Sequence, residues 1–211
     1  MTPLFDYNLI LRHGPTSMPV EFIALLCIAY LLGSVSFAVI LSKLNKLPDP
    51  RSFGSGNPGA SNMLRLGHRP LALATLLGDW GKGAAAVWLA IAAGLTNQQQ
   101  AWVALAAIIG HVLPVFHQLR GGKGVATAGG ALMMLSWPAT LTAAALWLLA
   151  FAISRIASLA SLVACLGLLP WLAWHSPSLL LPVALMVTLI LVRHRVNLGR
   201  LLSGTENHFR R

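Results

Sequence analysis

The chain has 211 residues, of which 56% are hydrophobic and 9% charged, and its 15 Lys and Arg outweigh 5 Asp and Glu to give a formal net charge of +10. A water-soluble domain carries about a quarter charged residues, so a soluble enzyme, a disordered protein and a collagen-like fibre are excluded. At about 20 helical residues per bilayer core of about 30 Å, the chain accommodates several membrane-spanning helices and no large soluble domain.

Met1 to Met18 contains Asp6, Arg12 and His13 and lacks a basic start, a short apolar core and a small-residue cleavage site, so no removable signal peptide is expected. The first predicted span is Pro19 to Leu41, with Gly33-Ser34 near its cytoplasmic half. A basic connection follows, carrying Lys43, Lys46, Arg51, Arg65 and Arg69 around Gly54-Ser55-Gly56-Asn57-Pro58-Gly59-Ala60-Ser61-Asn62. Glycines here permit positive φ and close approach of backbone to a ligand, Asn57 suits a helix cap, and Pro58 suits the first helical position. Free N–H groups gathered in such a turn form an anion site. A plain turn leading into a capped helix uses the same residues, and this stretch alone leaves both readings open.

The second span, Leu71 to Leu95, contains Asp79 and Lys82. Charged groups at membrane depth mark a polar cavity by default, although i, i+3 spacing also suits a structural ion pair. Beyond the uncharged turn Asn97 to Gln100 comes Ala101 to Phe116, where His111 reads first as a satisfied interior histidine. In Arg120-Gly121-Gly122-Lys123-Gly124-Val125-Ala126-Thr127, two cations flank glycines at a helix start. Fixed positive charge plus exposed amides fits a phosphate dianion, with Lys123 as a mobile point charge; an interfacial lysine that snorkels is the alternative. A nucleotide P-loop is excluded, because Gly124 follows Lys123 where serine or threonine is required.

Val125 to Ser136 and Pro138 to Ile153 read as two passes broken at Ser136-Trp137-Pro138, where proline cannot continue the helical ladder. Ala157 to Trp174 and Leu179 to Val192 complete the set, joined by the uncharged turn His175 to Ser178. His194 and Asn197, just past the last span, share a helix face that can meet the glycine loops.

All Lys and Arg except Arg12 and Lys82 fall in four clusters: Lys43 to Arg69, Arg120 with Lys123, Arg155, and the tail with Arg193, Arg195, Arg200, Arg210 and Arg211. Placing every cluster in the cytoplasm requires the intervening segments to cross in pairs. The expectation is an all-α polytopic membrane bundle of seven spans, N-terminus outside and C-terminus cytoplasmic, forming one domain over residues 1–211. The basic residues sit between apolar runs and not on a compact face with interleaved aromatics, so nucleic acid is not an expected partner.

Cys27 and Cys165 lie in apolar runs and suggest neither a disulfide nor a metal. The histidines show no ligand spacing, and no metal or cofactor is expected. A Gly-x-Ser-x-Gly elbow is missing, as is the His-x4-Asp arrangement of many glycerolipid acyltransferases, since Val115 stands four after His111.

In order and spacing, Gly33-Ser34-Val35-Ser36-Phe37, Gly54 to Asn62, Asp79 with Lys82-Gly83, Gly110-His111 through Phe116, Gly121 to Thr127, and Arg193-His194-Arg195 with Asn197 resemble the PlsY family of bacterial membrane acyltransferases. The resemblance runs from about Tyr30 to Glu206. It implies a seven-helix multi-pass protein of the bacterial plasma or inner membrane with a cytoplasmic-facing active site. It also implies transfer of an acyl group from acyl phosphate to glycerol 3-phosphate, the first acylation of phospholipid synthesis. The products would be lysophosphatidic acid and phosphate, the surroundings membrane lipid, and the partner a soluble enzyme that makes acyl phosphate. By the same resemblance Ser34, Arg51, Lys123 and Ser158 bind phosphate, and His194 and Asn197 lie near the glycerol phosphate. Gly54, Ser55, Gly56, Asn57, Gly59, Asn62, Gly121, Gly122, Gly124 and Thr127, with Lys82 and His111, line the phosphate sites. Ser36 stands where many members have proline, which is expected to straighten the first helix, and Val196 replaces a common acid.

An acyl phosphate is already activated, so the protein has to bind two phosphorylated molecules, aim the glycerol hydroxyl and stabilise the departing phosphate. That is cation and N–H chemistry, suited to a chain poor in acids. The expected acceptor of the hydroxyl proton is the substrate phosphate, with His194 as the alternative. A transporter for a phosphorylated metabolite is the rival reading, and it requires polar residues through the depth of the bundle.

Overall fold

A computed structural model describes residues 20–209; the N-terminal reading through Pro19, and Arg210 and Arg211 of the tail, lie outside the described residues. Among those residues all regular structure is helical. The order is α1 (Val20–Ser34), α2 (Phe37–Leu44), α3 (Ala60–Arg65), α4 (Arg69–Ala92), α5 (Asn97–Val112), a short 3-10 turn (Val115–His117), α6 (Val125–Leu135), α7 (Trp137–Ser154), α8 (Ala157–His175), α9 (Pro177–Arg193) and α10 (Arg195–Leu202).

The first expected span is not one straight helix. α1 and α2 bend by 41° at Val35 and Ser36. Ser36 is extended (φ −99°, ψ 101°), and the Val35 carbonyl accepts a 2.6 Å hydrogen bond from Lys82 Nζ. Serine in place of proline therefore leaves the break intact, because a buried ammonium supplies the interrupted backbone with a partner.

At Ser136 the expected separation is present. Ser136 is extended, its Oγ accepts from the Ala139 N–H at 3.3 Å, and Pro138 sits in the first turn of α7, where its missing N–H leaves no partner unsatisfied. With 11 residues, α6 is about 16 Å long, roughly half a bilayer core. The run Asn97–His117, together with α7 and α8, is long and apolar enough to cross a membrane, and the bent pairs α1–α2 and α9–α10 raise the count to five. α4 has 24 residues, but Asp79 and Lys82 interrupt its apolar run. α7 buries only Ala139 and exposes Leu148, Leu149 and Ile153; a helix apolar all round and this exposed belongs in lipid.

Two helix crossings bring backbones into contact through reciprocal glycines. Between α1 and α5, Gly33 faces the Ala107 carbonyl and Gly110 faces that of Tyr30; between α4 and α6, Gly83 faces the Thr127 carbonyl and Gly130 that of Trp80. A Cβ at any of the four would collide with backbone, so small residues set these distances where lipid supplies no hydrophobic drive. One apolar core joins Ile108, Leu132, Leu172 and Val187 of α5, α6, α8 and α9, and a second joins Phe22, Ala86 and Val103 of α1, α4 and α5. A 60° bend at His194 turns α10 across the end of the bundle. The glycine loops, the start of α8 and the α9–α10 corner thereby gather at one end.

Candidate active site

Asn62, buried at the start of α3, organises the first glycine loop. Its Oδ1 accepts from Ser55 N–H at 3.0 Å and Ser55 Oγ at 3.2 Å, while Nδ2 donates to the carbonyls of Pro50 at 2.7 Å and Phe53 at 2.9 Å. Gly54 has φ +58° and packs against Asn62 Oδ1, so a side chain there is excluded by backbone and contact alike.

The second glycine loop is clamped from two sides. Gly122 N–H donates to the His111 carbonyl at 3.1 Å, and the His111 ring occupies the place of a Gly122 side chain. From α9, Arg193 Nη2 donates to the Gly121 carbonyl at 2.8 Å and Nε to that of Gly122 at 3.2 Å. Both loop carbonyls are thus turned toward a guanidinium.

From this loop Lys123 Nζ donates to Asn197 Oδ1 at 2.5 Å. Asn197 Nδ2 donates to Glu206 Oε1 at 2.7 Å, and the Ser158 hydroxyl donates to the same oxygen at 3.1 Å. Glu206 Oε2 has no protein partner. Burial pushes the Lys123 ammonium down to about 8, opposed by Glu206 and assisted by Arg65, Arg200 and Arg193. His194, fully buried at the corner beyond α9, gives its Nδ1 to the Ile190 carbonyl at 2.8 Å. A carbonyl only accepts, so the proton is on Nδ1 and Nε2 carries a lone pair. Burial, then the Lys123 charge, lowers His194 to about 4, so the ring is neutral at physiological pH.

These groups border a polar cavity of about 210 Å³. Of the expected residues, Ser55, Asn57, Gly59, Asn62, His111, Lys123, Gly124, Ser158, His194 and Asn197 line it. An adjoining crevice of about 150 Å³ is lined by Gly56, Arg193, Arg195 and Arg200, and shares Ser55, Asn57, Lys123 and Asn197 with the cavity. The Lys123–Asn197 pair stands between the two hollows, of which the crevice is electropositive.

Other expected residues lie behind this surface. Arg51 faces Asp49, with Nη2 to Oδ2 at 2.7 Å and Nε within 3.1 Å of both oxygens, and its Nη1 donates to the His117 carbonyl at 3.2 Å. The guanidinium holds the Asp49 carboxyl below the usual carboxylate range. Ser34 is fully buried, its hydroxyl donating to the Tyr30 carbonyl at 2.8 Å and accepting from Val115 N–H at 3.3 Å. Lys82 bridges Val35 and Asp79, the ion pair measuring 2.9 Å. Gly54, Gly121, Gly122 and the buried Thr127 shape the walls without lining the cavity. Arg51, Ser34 and Lys82 each bond a neighbouring element, and none of the three lines the cavity.

Several lining groups are absent from the expected set. Glu206 is the chief one: a lone acid in a basic tail, buried at 6% exposure, that bonds two expected residues, Asn197 and Ser158, and through Asn197 reaches Lys123. Its signal in the sequence is its position two residues after Gly204, which has φ +67° and turns the chain back from α10. Asp79 was legible as a polar intruder and lies 3.6 Å from His111 Nδ1, both lining the cavity from below. Arg65, Ser161 and Trp147 also line it.

Residues 23–204 match the profile of a family described as glycerol-3-phosphate acyltransferase. A glycerol-3-phosphate acyltransferase of Pseudomonas putida (strain W619) is 54% identical over 188 residues, covering 89% of this chain and 100% of that protein. The Azotobacter vinelandii protein of the same name is 56% identical over 182 residues, covering 86% and 96%. The fold is similar to the crystal structure of PlsY (YgiH), an integral membrane glycerol 3-phosphate acyltransferase, in its glycerol 3-phosphate form, with TM-score 0.85 and 35% identity over 90% of this chain and 96% of that one. The lysophosphatidic acid form of the same protein gives TM-score 0.83 and 34% identity over the same shares.

Proposed function

The chain belongs to the glycerol-3-phosphate acyltransferase family, and from that membership and the geometry of its site we propose that it transfers a fatty acyl group from acyl phosphate to glycerol 3-phosphate. It is a membrane enzyme, and the products are lysophosphatidic acid and inorganic phosphate. The observation that carries the reading is the pair of hollows meeting at Lys123 and Asn197, beside an apolar slot that shares Val125, Trp147 and Ser161 with the polar cavity. Two phosphorylated molecules and one hydrocarbon tail need that combination.

In the reaction the glycerol hydroxyl oxygen bonds to the acyl carbonyl carbon, the bond from that carbon to the phosphate oxygen breaks, and phosphate leaves. Lys123 lies between both phosphates and neutralises charge that grows on the departing one. The N–H groups of Asn57, Ala60 and Ser61 donate to phosphate oxygens, and Ser158 turns its hydroxyl from Glu206 to a phosphate oxygen, while Asn197 and His194 orient the glycerol phosphate. The proton passes to a substrate phosphate. A histidine held near 4 is a weak base, and this supports His194 as an acceptor that aims the hydroxyl. Ser34, Arg51, Lys82 and the glycines behind the surface, with His111 in the cavity wall, hold the two loops at their working separation.

The donor assignment is tested by incubating purified protein with glycerol 3-phosphate and either acyl phosphate or acyl-CoA. Equal release of phosphate and lysophosphatidic acid from acyl phosphate alone is expected; turnover only from the thioester would overturn it. A transporter needs polar groups through the bundle, whereas the space continuing inward from the cavity is lined by apolar and aromatic side chains apart from Thr140, Ser161 and Cys165.

One domain over residues 1–211, seven spans with the N-terminus outside, and a site on the cytoplasmic side of the bacterial plasma or inner membrane complete the reading. A soluble acyl-phosphate-forming enzyme supplies the donor. Clustered Arg and Lys at the loop end of the bundle support this orientation. Membrane-impermeant labelling of Asn97→Cys from outside and of Asn207→Cys from the cytoplasm is expected; the reverse pattern would invert it.

A further inference from the structure

The apolar slot has a volume of about 240 Å³. At its neck Trp147 Nε1 donates to Ser161 Oγ at 3.1 Å, and Ser161 Oγ donates to the Ala157 carbonyl at 2.8 Å. Both polar groups are satisfied locally, so the neck offers carbon surface to a passing chain. Inward from the neck the lining covers the same distance on four helices: Val125 to Leu132 on α6, Trp147 to Thr140 on α7, Ser161 to Leu168 on α8, and Ile190 to Val183 on α9. Each interval is seven positions, or about 10 Å at 1.5 Å per residue.

The walls are small, at Ala128, Gly129, Ala143, Ala144 and Ala164. At the far end the lining side chains are larger. Beyond them Ala139, the next residue on α7, and Leu135, Leu172 and Leu179, about one turn further on α6, α8 and α9, lie buried in the core. Leu132, Leu168 and Val183, themselves at most 8% exposed, form an apolar floor.

We propose that this floor sets the acyl length the enzyme takes, with Leu132, Leu168 and Val183 as its specificity-determining residues; the proposal rests on the acyl-transfer reading above. In a zigzag of bonds of about 1.5 Å, a depth of about 10 Å holds about eight methylenes beyond the neck. A shorter tail leaves wall atoms without contact partners, and a longer one has to double back or displace close-packed leucines. Each methylene left in water costs about fourfold in affinity.

The test is kcat/KM of the full chain in bilayer discs with an even-numbered series of saturated acyl phosphates. Leu168→Ala deepens the slot and is expected to move the optimum by about two carbons toward longer chains, raising the long-to-short ratio about tenfold. Ala164→Leu fills the slot above the floor and is expected to shift the ratio the opposite way by a similar factor. KM for glycerol 3-phosphate stays at the wild-type value in both. Should one variant fail to fold, the other decides. An unchanged length profile, or a loss equal at every length, overturns the floor assignment while leaving acyl transfer intact. Wild-type protein inert toward every length would overturn the acyl-transfer reading and this proposal with it.

Discussion

Lys123 Nζ and Asn197 Oδ1 are 2.5 Å apart although they lie 74 positions apart in the chain. This contact joins the second glycine loop to α10 and fixes an ammonium between two hollows. Removing it with Lys123→Ala is expected to lower kcat/KM about 100-fold or more, the size of losing one preorganised charge at a phosphoryl group. Lys123→Arg is expected to recover only part, because a planar guanidinium does not fill a slot shaped for an ammonium. Steady-state kinetics on both variants checks this; wild-type rates in either remove Lys123 from the site.

The same lysine sets a pH dependence. Its folded value, about 8, lies below the ordinary 10.5, so the cation is present below pH 8 and lost as pH rises through it. kcat/KM, which reports the free enzyme, is expected to fall above about pH 8. Bound phosphate dianions favour the cation, which moves the limb in kcat to higher pH. Lys123→Arg is expected to abolish the limb, since a guanidinium stays charged; a limb that survives the change comes from another group.

Glu206 couples to that titration. Its charge opposes the depression of Lys123, and its Oε1 receives both Asn197 and Ser158. Glu206→Gln is expected to shift the basic limb to lower pH and to reduce turnover through misplaced Asn197. An unchanged pH profile would separate the carboxylate from Lys123.

Arg51 and Asp49 act as one unit behind the first loop. Arg51→Ala and Asp49→Ala are each expected to cost about tenfold in activity by loosening the loop, with little added loss in the double variant, the pattern of a coupled pair. Full additivity would instead make Arg51 an independent phosphate ligand.

At the α4–α6 crossing, Gly83 meets the Thr127 carbonyl directly. Gly83→Ala is expected to destabilise the protein by about 1–3 kcal/mol through overpacking, read as a lower midpoint of thermal unfolding in detergent. An unchanged midpoint would mean that the helices separate freely there.

Much of this was legible in the sequence for physical reasons. Charge clusters and apolar runs depend on local composition, which is why the helices and the separation at Ser136 could be read. The two glycine loops, with Lys123, His194 and Asn197, announced themselves as polar residues that an apolar bundle does not require, while Ser158 was singled out only by the family resemblance. The α1–α2 break did not, because it depends on Lys82 reaching Val35 from another helix. Arg51 and Ser34 were singled out only by the family resemblance, and their bonds to Asp49 and Tyr30 are seen only in the folded chain. Glu206 was hidden because its role arises from a turn after α10 that returns the chain to α8.

The most direct measurement is a structure of the enzyme holding glycerol 3-phosphate together with an inert acyl phosphonate. Both phosphorus groups are expected within hydrogen-bonding distance of Lys123 Nζ, one in each hollow, with the acyl tail entering past Trp147 and Ser161. Phosphorus groups seated at Arg51 and Ser34, away from Lys123, would contradict the account.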